Sequence, residues 1–308
     1  MNHQPASHNT TTQLAALPAQ VRLGDGGLAL HAPAKINLNL LVAAPRSDGF
    51  HPVDSIIAKI TLYDTLEMCP RTDGRIVLDT SGADCGPPEK NLVMRAAKLL
   101  ADGRGVCGAD IKLIKNIPPG AGLGGGSSDA AAALSGLNTI WSLDLPLAEL
   151  SNLAAELGSD VPLFLGPPAA RLTGRGEFIA PLQVGQFTAI LLMSGLICST
   201  AEVYGTYDRL GPSDDLNQID TRILTAEPPS LWRDKLRNDL APAAVNVCPE
   251  LSLLRERLAA QSDQPVHITG SGSTMFILCD SAEAATLVVS GLDTDLQNMC
   301  TIVARNPW

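Results

Sequence analysis

The sequence predicts an α+β protein of two domains, one spanning 28–185 and the other 186–308, behind a disordered tail at 1–27. Three observations carry this. The segment "LALHAPAKINLNLLV" (28–42) alternates polar and apolar residues, the period-2 pattern of a strand. In "IPPGAGLGGGSSDAAAAL" (117–134), glycines and serines lead into an alanine-rich run, which reads as a turn welded to a helix start. Beyond residue 185, a helix near 249–260, the two strands of "VHITGSGSTMFILCD", a helix from Ser281 and a strand near Thr301–Ala304 follow in order. That α-β-β-α-β succession is half of a ferredoxin-like unit.

The first 20 residues are polar and contain no Lys or Arg, so neither a secretory signal nor an Arg-rich transit peptide is expected there. The strand over 28–42 puts Lys35, Asn37 and Asn39 on one face, with successive members about 6.7 Å apart. "SDGFHPVDS" is a loop, and strands are expected at Ile56–Leu62, Thr65–Met68 and Arg75–Leu78. "NLVMRAAKLLA" (91–101) is a helix and "ADIKLIKNI" (109–117) a strand feeding the glycine loop. Ser127 or Ser128 would cap the next helix, with Asp129 in its first turn. "LAELSNLAAELG" (147–158) lines Leu147, Leu150, Leu153, Ala154 and Leu157 along one face, and Gly158 stops it. "TAILLMS" (188–194) is a strand, and 211–230 reads as loop.

A formal net charge of -10 argues against nucleic acid or an anionic membrane as partner, though not against a phosphorylated small molecule. The longest apolar run, Phe187 to Cys198, is too short to span a bilayer. Seven cysteines without a CxxC pair are expected to be reduced thiols in a cytoplasm rather than a disulfide framework or zinc site.

Glycines let a backbone approach a ligand closely, and a helix start offers unpaired N–H groups with partial positive charge. Together they make an anion cradle, most often for phosphate. No Lys follows these glycines, so the Walker A pattern fails. Gly120, Gly122 and Gly125 match GxGxxG, with Asp144 downstream, but several strands and a helix precede them, unlike a first Rossmann turn. A protein-kinase loop shares those glycines, yet HRD and DFG are missing.

"PPGAGLGGGSSDA" resembles instead the phosphate-binding motif of the GHMP kinases. "PAKINLNL" (33–40), "DGFH" (48–51), "GSDVPLFL" (158–165), "GRGE" (174–177), "NDL" (238–240) and "TGSGST" (269–274) extend the resemblance in order, from residue 28 to the end. The set looks like the branch of that superfamily acting on a cytidine diphosphate-linked methylerythritol. Phe50 stands where the family usually has Tyr, which removes a hydroxyl and keeps a ring, and "GPPAARLTGRGE" is richer in proline than the pattern.

The resemblance implies a two-domain GHMP architecture, ATP-binding domain first, with ATP and Mg²⁺ as cofactors. Pro118, Pro119, Gly120, Ala121, Gly122, Leu123, Gly124, Gly125, Gly126, Ser127 and Ser128 would cradle the ATP phosphates. A hydroxyl of Ser127 or Ser128 would help hold Mg²⁺, with Ser128 taken as the metal residue. Lys35 and Asp160 would flank the accepting 2-hydroxyl as the catalytic pair. From the residues alone, Asp160 before Val161 and Pro162 reads as a helix cap. Asn37, Phe50, His51 and Tyr204 would bind the substrate, the last three around cytosine; Tyr204 also sits at helical spacing that suits packing. The turn Gly270–Ser273 either brings amides to the phosphates or is a plain hairpin. Valine at Gly124 or Gly125 is expected to spoil ATP binding while sparing most of the fold.

Overall fold

The computed structural model describes residues 20–307 except 213–215, 217–219 and 227. Its first sheet contains β1 (Gln20–Arg22), β2 (Leu28–Val42), β3 (Val53–Pro70), β4 (Ile76–Gly82), β5 (Ala109–Lys115), β6 (Ala169–Gly174) and β7 (Phe178–Pro181). The order is β1-β2-β3-β5-β4, with β6 on β3 and β7 on β6; only β4 and β5 run parallel. Of the tail expected over 1–27, residues 1–19 lie outside the described residues. Residues 20–27 depart from the expectation, because Gln20–Arg22 pairs with Leu28–Leu30 across a short turn.

The two strands expected at 56–62 and 65–68 are one strand, β3. Its register against β2 shifts between Pro33 and Ala34. Proline has no N–H for the ladder, so the pair bulges and bends there without ending. A second shift lies between Asn37 and Asn39, where Asn37 faces Ile57 and Asn39 faces Ile56. One extra residue in a period-2 strand sends every later side chain to the other face. Lys35 and Asn37 therefore share a face, and Asn39 does not: its Oδ1 accepts the Arg237 N–H at 2.6 Å on the far side.

Helices α1 (Leu92–Ala101), α2 (Gly125–Ile140), α3 (Leu147–Leu157) and α4 (Val161–Leu165) cover this sheet. Asn91 caps α1, its side chain accepting the Val93 N–H at 2.9 Å. Helix α2 is almost wholly buried, and its small residues let it lie close to the sheet. A Cβ at Gly136 would come within 2.1 Å of Met68 Cε. The expected serine caps are not used. Gly124, at φ 72, is the N-cap, and Ser128 N–H makes the first turn's bond to Gly124 O at 2.9 Å. A left-handed cap position suits glycine, so the helix starts earlier and Asp129 moves into its second turn.

The chain passes to the second sheet between Pro181 and Thr188. That sheet holds β8 (Thr188–Leu192), β9 (His267–Ile268), β10 (Met275–Cys279) and β11 (Cys300–Ala304). The order β11-β8-β10-β9, antiparallel throughout, is that of a ferredoxin-like sheet. Around it lie α5 (Thr200–Leu210), α6 (Ile223–Ala226), α7 (Ala241–Val247), α8 (Pro249–Ser262), α9 (Ala282–Ser290) and α10 (Thr294–Met299). Helix α6 is a single turn inside the stretch expected as loop. A shared buried layer, with Ile36 and Leu38 of β2 against Leu191, Phe276 and Trp232, binds the two halves together. No helix among the described residues is long and apolar enough to cross a membrane.

Candidate active site

A cleft of about 460 Å³ opens between the halves, and Lys35, Asn37, Gly122, Gly124, Asp160, Phe50 and Tyr204 all line it. Strand β2 supplies its floor. Lys35 Nζ donates to Asn37 Oδ1 at 2.7 Å and to Gly122 O at 2.8 Å. An ammonium has three N–H donors, so one is left for the cleft. Burial pushes the Lys35 ammonium below its ordinary 10.5, and the Asp160 carboxylate opposes that shift. Asn37 is fixed in turn: Nδ2 donates to Ser55 Oγ at 2.8 Å, and its backbone N–H donates to Thr269 Oγ1 at 2.9 Å.

Asp160 stands at the head of α4 with no side-chain hydrogen bond to that helix, and it is exposed at the cleft. Position alone makes it a cap; its carboxylate does none of a cap's work.

In the glycine loop, the carbonyls face the protein. Leu123 O accepts Lys35 N–H at 3.0 Å and Ala121 O accepts Thr274 N–H at 3.3 Å. The N–H groups of Gly125, Gly126 and Ser127 precede the first helical bond and have no partner within the helix. Close packing accounts for two glycines. A Cβ on Gly122 would lie 2.7 Å from Gly272 O, and one on Gly124 would lie 2.8 Å from Phe164 Cζ. The turn at Gly270–Ser273 thus seats directly on the loop, with Gly270 and Ser271 at the cleft wall.

Gly125 is equally confined: its Cβ would meet Ile117 Cγ2 at 2.8 Å and Lys115 Nζ at 2.9 Å. Valine at Gly124 or Gly125 would therefore disturb packing as well as the cradle, contrary to the expectation of a spared fold. Gly126 is exposed and has only Leu92 Cδ1 near, at 3.7 Å, so it is the position that isolates the cradle.

Under the loop lies a cluster that the sequence reading passed over. Lys115 Nζ donates to Asp64 Oδ2 and, at 2.8 Å, to Asp129 Oδ2, with all three side chains buried. Asp64 Oδ1 accepts the N–H groups of Asn116 at 2.6 Å and Ile117 at 2.8 Å, which fixes the entry to the loop. Burial pushes the Asp129 carboxyl up to about 7, the Lys115 ammonium opposing. The signal was present: in "ADIKLIK", Lys115 continues the inward row of Ala109, Ile111 and Leu113. Lys59 was also missed. Its Nζ donates to Phe164 O at 3.2 Å and Gly166 O at 2.8 Å, holding the end of α4. Burial pushes that ammonium down to about 7.

The aromatic residues divide. Phe50 is 51% exposed at the rim, with the Arg175 guanidinium 4.6 Å from its ring centroid. Tyr204 lines the cleft, and burial first, then Asp160, pushes its hydroxyl up to about 12. His51 is not among the lining residues. Its Nδ1 lies 2.9 Å from Ala43 O, its Nε2 3.4 Å from Asp208 Oδ1, and its ring 5.1 Å from that of Tyr204. The imidazole supports Tyr204 from behind, where a base edge was expected to meet it directly.

Ser128 also departs from expectation. Its hydroxyl is buried without a hydrogen-bond partner, beside Leu30, Pro33 and Phe164, away from the main cleft. Ser127, half-buried in the first turn of α2, is the serine at the cradle. Among the described residues, no three His, Cys, Asp or Glu side chains converge as a metal cage.

The profile of the GHMP kinases N terminal domain matches residues 91–166, from the cap of α1 to the end of α4. A 4-diphosphocytidyl-2-C-methyl-D-erythritol kinase of Desulfotalea psychrophila is 39% identical over 81% of this chain and 84% of its own length. Its namesake from Pelotomaculum thermopropionicum is 40% identical over 84% of this chain and 91% of its own. The crystal structure of a 4-(cytidine 5'-diphospho)-2C-methyl-D-erythritol kinase superposes with a TM-score of 0.75 at 32% identity, covering 90% of this chain and 99% of that one. A homoserine kinase from Cytophaga hutchinsonii, at 15% identity and a TM-score of 0.63, shares the fold. With its glycine cradle, its cleft and these relatives across most of its length, the chain belongs to the 4-diphosphocytidyl-2-C-methyl-D-erythritol kinase family of the GHMP kinases.

Proposed function

We propose that the protein transfers the γ-phosphoryl group of ATP to the 2-hydroxyl of 4-diphosphocytidyl-2-C-methyl-D-erythritol, in the methylerythritol phosphate route to isoprenoid precursors, in the cytoplasm. The observation that carries this is the single cleft lined by Lys35, Asp160, the edge of the glycine loop, Phe50 and Tyr204.

Phosphoryl transfer passes through a loose transition state, so the protein's task is positioning and charge stabilisation. The free N–H groups at the start of α2 hold the ATP phosphates. Asp160 orients the acceptor hydroxyl and takes its proton as the new P–O bond forms and the bond to ADP breaks. The proton can depart late, so strong basicity is not required of it. The third N–H of Lys35 faces the acceptor oxygen as negative charge builds there. Mg²⁺, when bound, neutralises charge on the β- and γ-phosphates, and the Ser127 hydroxyl would hold it from the protein side.

Lys35 acts in this scheme only as an ammonium. Since burial lowers its pKa from 10.5, kcat is expected to fall as pH rises through a value below that of free lysine. A pH–kcat profile checks this; an alkaline limb at or above 10.5 would remove Lys35 from the charge-stabilising role.

Phe50 and Tyr204 are the cytosine platforms in this reading. Stacking is worth about 1–3 kcal/mol per base, so Tyr204→Ala should raise the KM for the cytidine substrate about tenfold or more. Uridine keeps the stacking face but reverses the donor and acceptor at its 4-position, which leaves polar groups unpaired. Coupled ADP release, run on the cytidine substrate, its uridine analogue, mevalonate and homoserine, tests the assignment. Equal rates on both bases, or turnover of mevalonate, would overturn it.

A further inference from the structure

A second cleft of about 440 Å³ lies on the other side of Asn37, walled by β9, α7, α8 and the segment before α7. It is nearly as large as the catalytic cleft and within the range of small-molecule sites. Leu38, Leu236, Val245 and Phe276 give it an apolar wall; Arg237, Arg255, Asn238 and His267 give it a polar one. No carboxylate is among its lining residues, although Asp239 pairs with Arg237 and the Asp234 charge reaches His267.

Three details make this wall suited to an anion. Arg255 Nε donates to Val266 O at 3.0 Å, which orients the guanidinium. The Arg237 charge is shared with Asp239, so Arg255 is the stronger cation. His267 Nε2 is buried with no partner within hydrogen-bond distance, and burial first, then Arg255, pushes the imidazole down to about 4 against the Asp234 carboxylate and the Arg233 backbone, leaving it neutral. A buried polar atom without a partner is costly, and a ligand oxygen or hydroxyl would satisfy it.

The same wall reaches the catalytic machinery. Asn37, which holds Lys35, lines both clefts. Asn238 Nδ2 donates to Ile268 O at 2.7 Å and Gly270 O at 2.8 Å, bracing the turn that seats on the glycine loop.

We propose that this cleft is a second, regulatory site for a small organic anion with an apolar body, a phosphate or carboxylate carried on a short alkyl chain. The anion pairs with Arg255 and the chain lies against Leu236, Val245 and Phe276. Occupancy bears on Asn37 and on the Gly270 turn, so the linkage is reciprocal with substrate affinity.

Calorimetry on the full chain with hexyl phosphate, hexanoate, hexanol and inorganic phosphate tests the site, and the first two probes distinguish a phosphate ligand from a carboxylate. The expected result is saturable binding of one anion per chain by at least one of the alkyl anions, not displaced by ATP. Hexanol and inorganic phosphate should bind at least tenfold more weakly. Arg255→Gln and Val245→Trp, each checked for an unchanged melting temperature, should weaken binding at least tenfold, one by removing charge and the other by filling the space. No saturable binding of either alkyl anion, equal binding to both variants, or displacement by ATP would overturn the site. At saturation the anion should change the acceptor KM at least twofold in the wild type and not in Val245→Trp; binding without that change would overturn the regulatory role. The binding arm stands apart from the proposed reaction, so a chain that binds hexyl phosphate but phosphorylates no cytidine acceptor counts against the reaction alone.

Discussion

Asp160→Asn is expected to lower kcat by about 10²–10⁴-fold, the range for a positioned acid–base group. The acceptor KM should change far less, because the interaction strengthens only as the hydroxyl loses its proton. Asparagine keeps the size of aspartate and the ability to accept one hydrogen bond, but neither the charge nor the proton affinity. The structure sharpens this test. Asparagine caps a helix as well as aspartate, so the capping role is tested by Asp160→Ala: a working cap would lose roughly 0.5–2 kcal/mol, whereas Asp160 makes no cap bond and is exposed, so the melting temperature should hold in both variants. Steady-state kinetics paired with thermal melts decides it. Full kcat in Asp160→Asn together with an early melt of Asp160→Ala would return the residue to a capping role. Lys35→Ala should also cost turnover heavily, but it removes two internal hydrogen bonds as well, so it separates the two roles less cleanly.

The second large effect is on folding. Lys115→Met should destabilise the protein by about 3–5 kcal/mol, the cost of leaving a buried charge uncompensated. Asp64 and Asp129 would then face each other without their shared cation, under the helix start proposed to hold the ATP phosphates. Asp129→Asn alone should be tolerated, since Lys115 still pairs with Asp64, and adding it to Lys115→Met should recover part of the loss. Chemical denaturation of the three variants measures this; equal stability of Lys115→Met and wild type would show the cluster to be energetically idle. A pH signature accompanies it. Burial raises the Asp129 carboxyl from 3.8 to about 7, so between those values the folded state keeps a proton that the unfolded state has released. Stability from this group therefore falls as pH rises through that window, and Asp129→Asn should flatten the slope.

Much of the site was legible because its signals are local. Three glycines in front of an alanine run mark a helix start with unpaired N–H groups, and strand alternation puts Lys35 beside Asn37. The ferredoxin-like succession of the second half is likewise written in consecutive runs of strand and helix. Lys115 was legible in principle, as the last inward member of an alternating strand, and escaped notice because a lysine at a strand end usually reaches solvent.

Other features belong to no local pattern. One bulge at Asn37/Asn39 turns Asn39 away from the cleft, and nothing in "INLNL" marks it, since the shift is set by pairing with Ile56 and Ile57. The start of α2 at Gly124 is decided by Phe164 and Lys35, which press on that glycine from elsewhere in the chain. The contacts of His51 with Ala43 O, Asp208 and Tyr204 are set by tertiary packing, and nothing in "DGFH" announces them. By itself the sequence determined the repertoire: a glycine-rich helix start, the lysine and carboxylate proposed as the catalytic pair, the aromatic residues proposed as platforms, and the two halves that carry them. Tertiary structure alone decided which of these side chains meet, as where Thr269 grips Asn37 from 232 residues away. Periodicity along a chain states which faces are apolar. The partner of each polar atom is chosen only when distant segments pack and every buried donor must find an acceptor.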